Sequence, residues 1–504
     1  MPPFGDPIRS LGTGETFKGG LQGRPQRLGG PRPLGYHNHC MDLRSAIKQH
    51  AVEIGFEFVG IAPATPGRDL EFAREWLERG YGGEMHYLAN PKRFDPRSAL
   101  TSVKSVVCVG LIYDTPFPYS TKVRIEGSKQ KAVGSESLPV VPEHSPSGRS
   151  CPSADAQARG DDDPVSSFEF PVSSAAQPRA WISRYAWGRD YHEILREKLE
   201  RLRTAIGELA PGAETRVFVD TGPVVERAFA RFSGIGWMGK NTCIINEERG
   251  SWFFLGVILT NLALEPDLPA PDRCGTCRAC LDACPTGALV EPYVMDATRC
   301  ISYLTIELKG SIPLELRRGV GVNIFGCDIC QDVCPWNRKD RSQESEVRSQ
   351  ETAFRPMVVD ARAIESRFLP MNEGQRTNDE RQRSEHSTVS SQQSDSGDVS
   401  PIQNPKSQIH NPQPSTQHPA PGTFSLFAPA LEALASMTEE GFRQTFRHSP
   451  IKRTKYRGWL RNLCVAMGNS GEVRLVPKLK ELAAHTDPIV REHAEWALSR
   501  LRKA

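Results

Sequence analysis

No stretch of this 504-residue chain is long and apolar enough to span a bilayer. The longest apolar run, 252–264, is about half a span and is broken by Gly256 and Asn261. The chain is therefore expected to have no membrane partner. A dominant charge is missing too: 63 basic against 60 acidic residues leave a net +3, so a nucleic-acid partner would have to be met by a local basic patch. The first 40 residues, rich in Gly, Pro and Arg, lack the apolar centre of a secretory signal and are expected to be a disordered extension. Periodicity is absent from about 121–178, rich in Ser, Pro, Asp and Glu, and from 338–423, rich in Ser, Gln, Asn and Pro. Such stretches bury too little apolar surface to offset chain entropy, so the first reads as an insertion and the second, with a short ordered piece near 354–369, as a tether. A nucleotide site is not expected either, because Gly234 to Thr242, GIGWMGKNT, lacks phosphate-loop spacing.

What the chain does have is cysteine, 13 in all. Cys274, Cys277, Cys280 and Cys284, followed by Pro285, have the C-x2-C-x2-C-x3-C-P spacing that wraps a cubane iron-sulfur cluster. Cys327, Cys330 and Cys334 before Pro335 repeat its end, and Cys300 upstream can supply the missing thiolate. In two-cluster ferredoxins the last cysteine of each run crosses to the other cluster. That rule groups Cys274, Cys277, Cys280 and Cys334 around one 4Fe-4S cluster and Cys327, Cys330, Cys300 and Cys284 around the second. A pair of zinc sites is the alternative, but zinc modules show two short Cys pairs and a spacer. Thiols that hold iron must stay reduced, which points to the cytoplasm. Cys40, Cys108, Cys151, Cys243 and Cys464 read as unpaired thiols.

Around this module the patterning alternates between helix and strand. Helices are expected from Asp42 (Leu43, Ile47 and Ile54 on one face), over 69–79 with Gly80 ending it, and from Asp190 through Ile194, Leu199 and Ile206. Strands are expected at 56–62, 103–113, 216–219 and 251–259. The fold class is thus α+β, with an α/β-type domain over 41–265, a ferredoxin-like module over 266–337 and a helical domain over 424–504. In the last, Ser436 and Glu439 suggest a capping box, and Asp487-Pro488 opens a helix. The stacked pairs suggest HEAT repeats, with about one repeat visible.

Outside the cysteines, Asp220 in VFVDTGPVVER stands where a strand ends. It either caps the next helix or, beside an electron-delivering cluster, donates a proton. Arg93 in PKRFDPR binds an acidic or amide-bearing ligand or forms a surface ion pair. In IKRTKYRGWLRN, five cations within ten residues lie among aromatics, a solvated face or an RNA contact.

Taken together, PKRFDP, SRYAWGRDYH, VDTGPVVERAFA, GIGWMGKNT, GSWFFLG, both cysteine runs, CISYLTIELKG and RGWLRN resemble the epoxyqueuosine reductases, tRNA-modifying enzymes related to reductive dehalogenases. The resemblance covers about 41–113, 181–337 and 426–504. It implies a cobalamin-binding catalytic domain, two 4Fe-4S clusters, and a HEAT-like domain that grips tRNA through Arg453, Arg457 and Arg461. It implies that Asp220 donates a proton as the epoxide opens, and that Arg93, Ser183, Asp220, Ile244, Leu255, Ile258 and Ser302 contact the corrin, some of them through backbone groups. It implies a monomeric enzyme of the last step of queuosine synthesis, acting on tRNAs with GUN anticodons (Tyr, His, Asn, Asp) and fed by an unidentified electron donor. A cobalamin reductase acting on a small organohalide is a rival, against which the basic terminal domain argues. A zinc scaffold that binds RNA is the other.

Overall fold

Asp42 starts the first helix, α1 (Leu43–Ile54), by accepting a hydrogen bond from the Ser45 N–H, and Ile47 and Ala51 are its buried positions. The computed structural model describes residues 42–65, 67–115, 117–121, 178–337, 354, 356–360 and 423–502. The expected N-terminal extension, nearly all of the 121–178 insertion and most of 338–423 lie outside them.

Strand β1 (Phe58–Pro63) follows, then α2 (Arg68–Glu78) and β2 (Ser105–Ile112). Strand β2 is buried along its whole length, because successive side chains point to opposite faces and both faces are covered. Val107, Val109 and Leu111 join α1 in one core, while Val106, Cys108 and Ile112 join another. After β3 (Trp181–Ile182), the long α3 (Tyr191–Leu209) adds Ile194, Leu195, Leu199, Leu202 and Ile206 to the first core. Strand β4 (Thr215–Phe218) and α4 (Glu226–Phe232) come next, with Phe229 and Ala230 of α4 in the second core. The short hairpin β5 (Trp237–Met238) and β6 (Ile244–Ile245) precedes β7 (Phe253–Thr260). The sheet order is β1-β2-β7-β4, and all three pairings are antiparallel. The expected α/β-type domain is therefore an antiparallel sheet between two helical layers, an α+β arrangement. Helix–strand alternation in sequence does not by itself require parallel strands.

The cysteine runs sit on short pieces: α5 (Ala279–Asp282), the hairpin β8 (Leu289–Glu291) and β9 (Val294–Met295), α6 (Ile301–Ile306), α7 (Leu314–Val320), β10 (Asn323–Phe325) and α8 (Ile329–Asp332). Strand β10 pairs in parallel with β3, which ties this module to the first layer.

Two findings bear on the expected domain plan. Strand β11 (Val358–Asp360) pairs antiparallel with β12 (Thr423–Ser425), Asp360 opposite Thr423, and β11 falls within the ordered piece expected at 354–369. The C-terminal helices, α9 (Leu431–Ala435), α10 (Glu439–Thr445), α11 (Lys455–Ser470), α12 (Val476–Ala483) and α13 (Pro488–Leu501), also share a single core with Trp181, Ile182, Trp187, Ile324 and Phe325. Residues 42–504 form one unit. The cap of α10 is Thr438, which accepts from the Gly441 N–H. Ser436 instead donates to the Glu432 carbonyl at the end of α9, so the expected capping box does not form. Asp487 caps α13 as expected. Among the described residues no helix is long and apolar enough to cross a membrane.

Candidate active site and cluster cradle

Cys274, Cys277, Cys280 and Cys334 line one cavity with Lys240, Asn241, Ile245 and Trp336. The last cysteine of the second run thus stands with the first three of the first. Among the described residues, no three His, Cys, Asp or Glu side chains gather about a point as one metal ion requires; these four sulfurs instead ring a space. The residues fit a cluster on another count. The buried Trp237 indole N–H is directed at the Cys274 sulfur, a donor facing a would-be cluster ligand. Trp237 and Trp336 meet edge to face, 5.0 Å between centroids, to wall the cavity.

The second group is half-buried throughout. Desolvation pushes the Cys327 and Cys330 thiols well up, and each feels Cys300; Cys327 also feels Cys284. Burial likewise raises Cys280 and Cys334, each to about 12. Cys243, expected to be an isolated thiol, lies within the field of Cys330, Cys300 and Cys334.

The cradle is held by residues whose spacing predicted no site. Lys240 Nζ donates to the carbonyls of Gly275 and Cys277 at 2.5 and 2.9 Å, and Asn241 Nδ2 donates to Cys330 O at 3.2 Å. The GKN of the glycine-rich tract therefore staples one cysteine run to the other. Asp328, beside Cys327, accepts from Ser183 Oγ (2.6 Å), Trp181 Nε1 (3.0 Å) and Arg184 N (2.8 Å).

The second feature is centred on Asp220. It follows β4 with φ +51°, in the left-handed region that costs a non-glycine residue energy. Gly222 is required two residues on: a Cβ there would stand 2.3 Å from the Phe218 ring. Arg93 Nη1 donates to Gly222 O at 2.6 Å, and Nη2 reaches Val224 O at 3.5 Å, so Arg93 clamps this loop. The Asp220 side chain is 48 % exposed. Its Oδ2 accepts from Tyr191 Oη at 2.9 Å and lies 3.4 Å from His192 Nε2 and 3.5 Å from Arg453 Nη1. Arg453 is held in turn by Glu307 at 2.8 Å. Burial alone would raise the Asp220 carboxyl, but the His192 contact and the Arg453 charge outweigh it and lower the group to about 2. Burial opposes charge on His192 as well, yet Asp190, at 2.7 Å from Nδ1, and Asp220 raise it to about 9. At neutral pH the expected donor is thus a bare carboxylate, and the proton sits on its neighbour. Glu226, whose Oε1 is buried without a partner, is raised to about 7 by its burial.

Cluster and carboxylate are joined by α6: Cys300 is its N-cap and Glu307 its C-cap, seven residues and about 10 Å apart along the axis. The Ser302 N–H and hydroxyl face Cys300. Tyr87, 51 % exposed, lies in the field of Glu307, Arg453, Asp220 and Arg93.

Not all expected corrin contacts converge here. Arg93, Asp220 and Ser302 belong to this region. Ser183 is buried with its hydroxyl committed to Asp328, Ile244 is buried in the second core, and Leu255 is partly buried against that core. Ile258 is fully buried on the opposite face of the sheet, in the first core, and its strand is paired on both sides. Leu255 and Ile258 therefore cannot present side chains to one ring. Of the three expected tRNA contacts, Arg457 is exposed and Arg453 points into the Asp220 site. Arg461 is a correction: its guanidinium is buried and donates to the carbonyls of Leu304, Leu308 and Gly310, so it is unavailable to a phosphate.

The sequence reading missed Tyr191, His192, Lys240, Asn241, Glu226 and Glu307. Asp190 was legible only as a cap, which it also is, accepting from the His192 N–H.

A family model described as "4Fe-4S double cluster binding domain" matches residues 273–337, and one described as "Epoxyqueuosine reductase QueG, DUF1730" matches 166–221. The epoxyqueuosine reductase of Pseudomonas aeruginosa is 33 % identical over 93 % of this chain and 98 % of its own length. That of Escherichia coli K12 is 31 % identical over 91 % and 89 %. A crystal structure of epoxyqueuosine reductase with an epoxyqueuosine-modified tRNA-Tyr stem loop superimposes with a TM-score of 0.60 at 26 % identity, covering 91 % of this chain and 90 % of that one.

Proposed function

The chain belongs to the epoxyqueuosine reductase family, and on that premise we propose that it reduces the epoxide of epoxyqueuosine in tRNA to the alkene of queuosine, with loss of the oxygen as water. The observation that carries the reading is the half-exposed Asp220 carboxylate, ringed by His192, Tyr191 and Arg453, at one end of the helix that Cys300 begins at the other.

In this reading Cys274, Cys277, Cys280 and Cys334 hold one 4Fe-4S cluster and Cys284, Cys300, Cys327 and Cys330 the other. Arg93 and Ser302 would stand near a bound cobalamin, and Glu226 Oε1, buried without a partner, supports a polar group seated beside the Asp220 loop. Cobalamin, when bound, supplies a strongly reducing cobalt centre. The chain's own residues do the remaining work. Arg93 fixes the loop, Asp220 passes a proton to the epoxide oxygen as its C–O bond breaks, and Arg453 steadies the charge on the carboxylate. Tyr87 offers an exposed ring at the mouth for a splayed anticodon-loop base. The tRNAs are those with GUN anticodons, and the enzyme is a cytoplasmic monomer whose C-terminal helices, HEAT-like, hold RNA with Arg457 on their exposed side.

The test is anaerobic reconstitution with iron, sulfide and cobalamin, then incubation with a chemical reductant and epoxyqueuosine-containing tRNA, followed by nucleoside analysis. Queuosine is expected from the wild type and not from Asp220→Ala, with cluster absorbance the same in both. No queuosine from a fully loaded wild type would reject the assignment.

A further inference from the structure

Removing an epoxide oxygen as water consumes two protons, and the resting Asp220 carboxylate holds neither. We propose that His192 is the proton store of this site: Nε2–H passes its proton to Asp220 Oδ2 as Asp220 hands it on to the substrate oxygen, while Asp190 holds Nδ1 so that Nε2 stays aimed at it.

This rests on the reduction proposed above and adds the source of its protons. The geometry is a line of three groups. Asp190 Oδ1 lies 2.7 Å from Nδ1, and Nε2 lies 3.4 Å from Asp220 Oδ2. Asp190 and His192 are fixed by the start of α3, whose cap is Asp190 itself, and the imidazole is stacked on Tyr191, 4.1 Å between centroids. Asp220 arrives from the sheet in a left-handed backbone conformation. Nε2 is buried and faces Asp220 Oδ2, so a proton leaving it has a carboxylate oxygen in reach.

The charges facing the imidazole come from three elements. Asp190 and Tyr191 lie on its own helix, with Glu193 further along, paired to His448 at 3.1 Å. Asp220 comes from the loop after β4. From the C-terminal region, Lys452 pairs with Asp190 at 2.9 Å and Arg453 faces Asp220. Two carboxylates flank the ring directly, and both cations reach it only through them, so the imidazolium is the favoured form. The transfer balances simply. The Nε2–H bond breaks and an Oδ2–H bond forms; Asp220 then gives that proton to the substrate oxygen, and the neutral imidazole takes another from solvent. The two electrons come from the reductant that the reductase activity already uses.

The experiment uses the full chain, reconstituted with clusters and cobalamin, and an epoxyqueuosine-containing tRNA stem loop. In the resting protein, 13C-labelled histidine resonances, assigned with His192→Gln, are titrated. His192 should titrate well above an ordinary histidine and fall by about one unit or more in Asp220→Asn. In turnover, wild-type activity should decline on the alkaline side at that same midpoint. Asp190→Asn should move the decline to lower pH. His192→Gln should be slower by at least about tenfold and should lack the limb, whereas Tyr191→Phe should keep it. If His192→Gln does not fold, the titration and Asp190→Asn decide. An ordinary titration midpoint, or a His192→Gln profile like wild type while Asp220→Ala is inactive, overturns the relay alone. Wild-type turnover by Asp220→Ala overturns the role assigned to Asp220 instead.

Discussion

Arg461 shows how far a residue's type can mislead about its role. Among five cations and two aromatics it reads as an RNA contact, yet it closes three backbone carbonyls at the end of α6. Orphaning buried carbonyls costs about 1–3 kcal/mol each, so Arg461→Ala should lower the thermal midpoint of the whole chain. Arg457→Ala gives up one exposed hydrogen bond, to Lys309 O, so it should lower the midpoint less and flatten the salt dependence of tRNA binding; equal melting of the two variants would contradict this division. His192 carries a pH signature of its own. Its folded value, about 9, lies above the unfolded 6.5. Its stabilising contribution is therefore complete below pH 6.5 and is lost as pH rises through about 9. Denaturation midpoints of wild type and His192→Gln should converge across that window.

At the scale of elements, the regular pieces were legible because the helices bury one stripe and the central strands are short, continuously apolar runs. Helices α1 and α3 carry apolar stripes and Asp caps, and β2 and β7 are short β-branched runs. Cysteine spacing was legible down to the crossing of Cys334, since a loop that wraps a cubane leaves few other arrangements. What sequence hid was contact between distant elements. Lys240 and Asn241 look like loop filler until the fold sets their donors on Gly275, Cys277 and Cys330. His192 looks like an ordinary first-turn residue until β4 delivers Asp220. Strand alternation, which resemblance does not convey, sets the Ile258 side chain on the far face of the sheet from Leu255. The staple predicts that Lys240→Met will fold but take up iron incompletely, read as a lowered iron-to-protein ratio and cluster absorbance. Full loading would show that the cysteine loops hold their shape unaided.

For the whole molecule, the C-terminal helices are part of the core and their seam is sensitive to acid. His493 on α13 is fully buried; its Nε2 accepts from the Ile312 N–H at 3.1 Å and its Nδ1 faces Ile489 O at 2.7 Å. Burial first, then the Arg317 charge, lowers it to about 4 from 6.5. A histidine depressed in the folded state stabilises fully above pH 6.5 and loses that contribution as pH falls toward about 4. Wild-type stability should drop over that interval, and the drop should shrink in His493→Gln; identical slopes would remove His493 from the seam.

The ladder of β11 and β12 has an engineering consequence. Position 360 faces position 423 across two hydrogen-bonded strands, so the ends of whatever joins them are fixed, and closure entropy changes only slowly with the length between them. A fluorescent protein or purification handle spliced between 360 and 423 should leave the ladder, and the thermal midpoint with it, nearly unchanged.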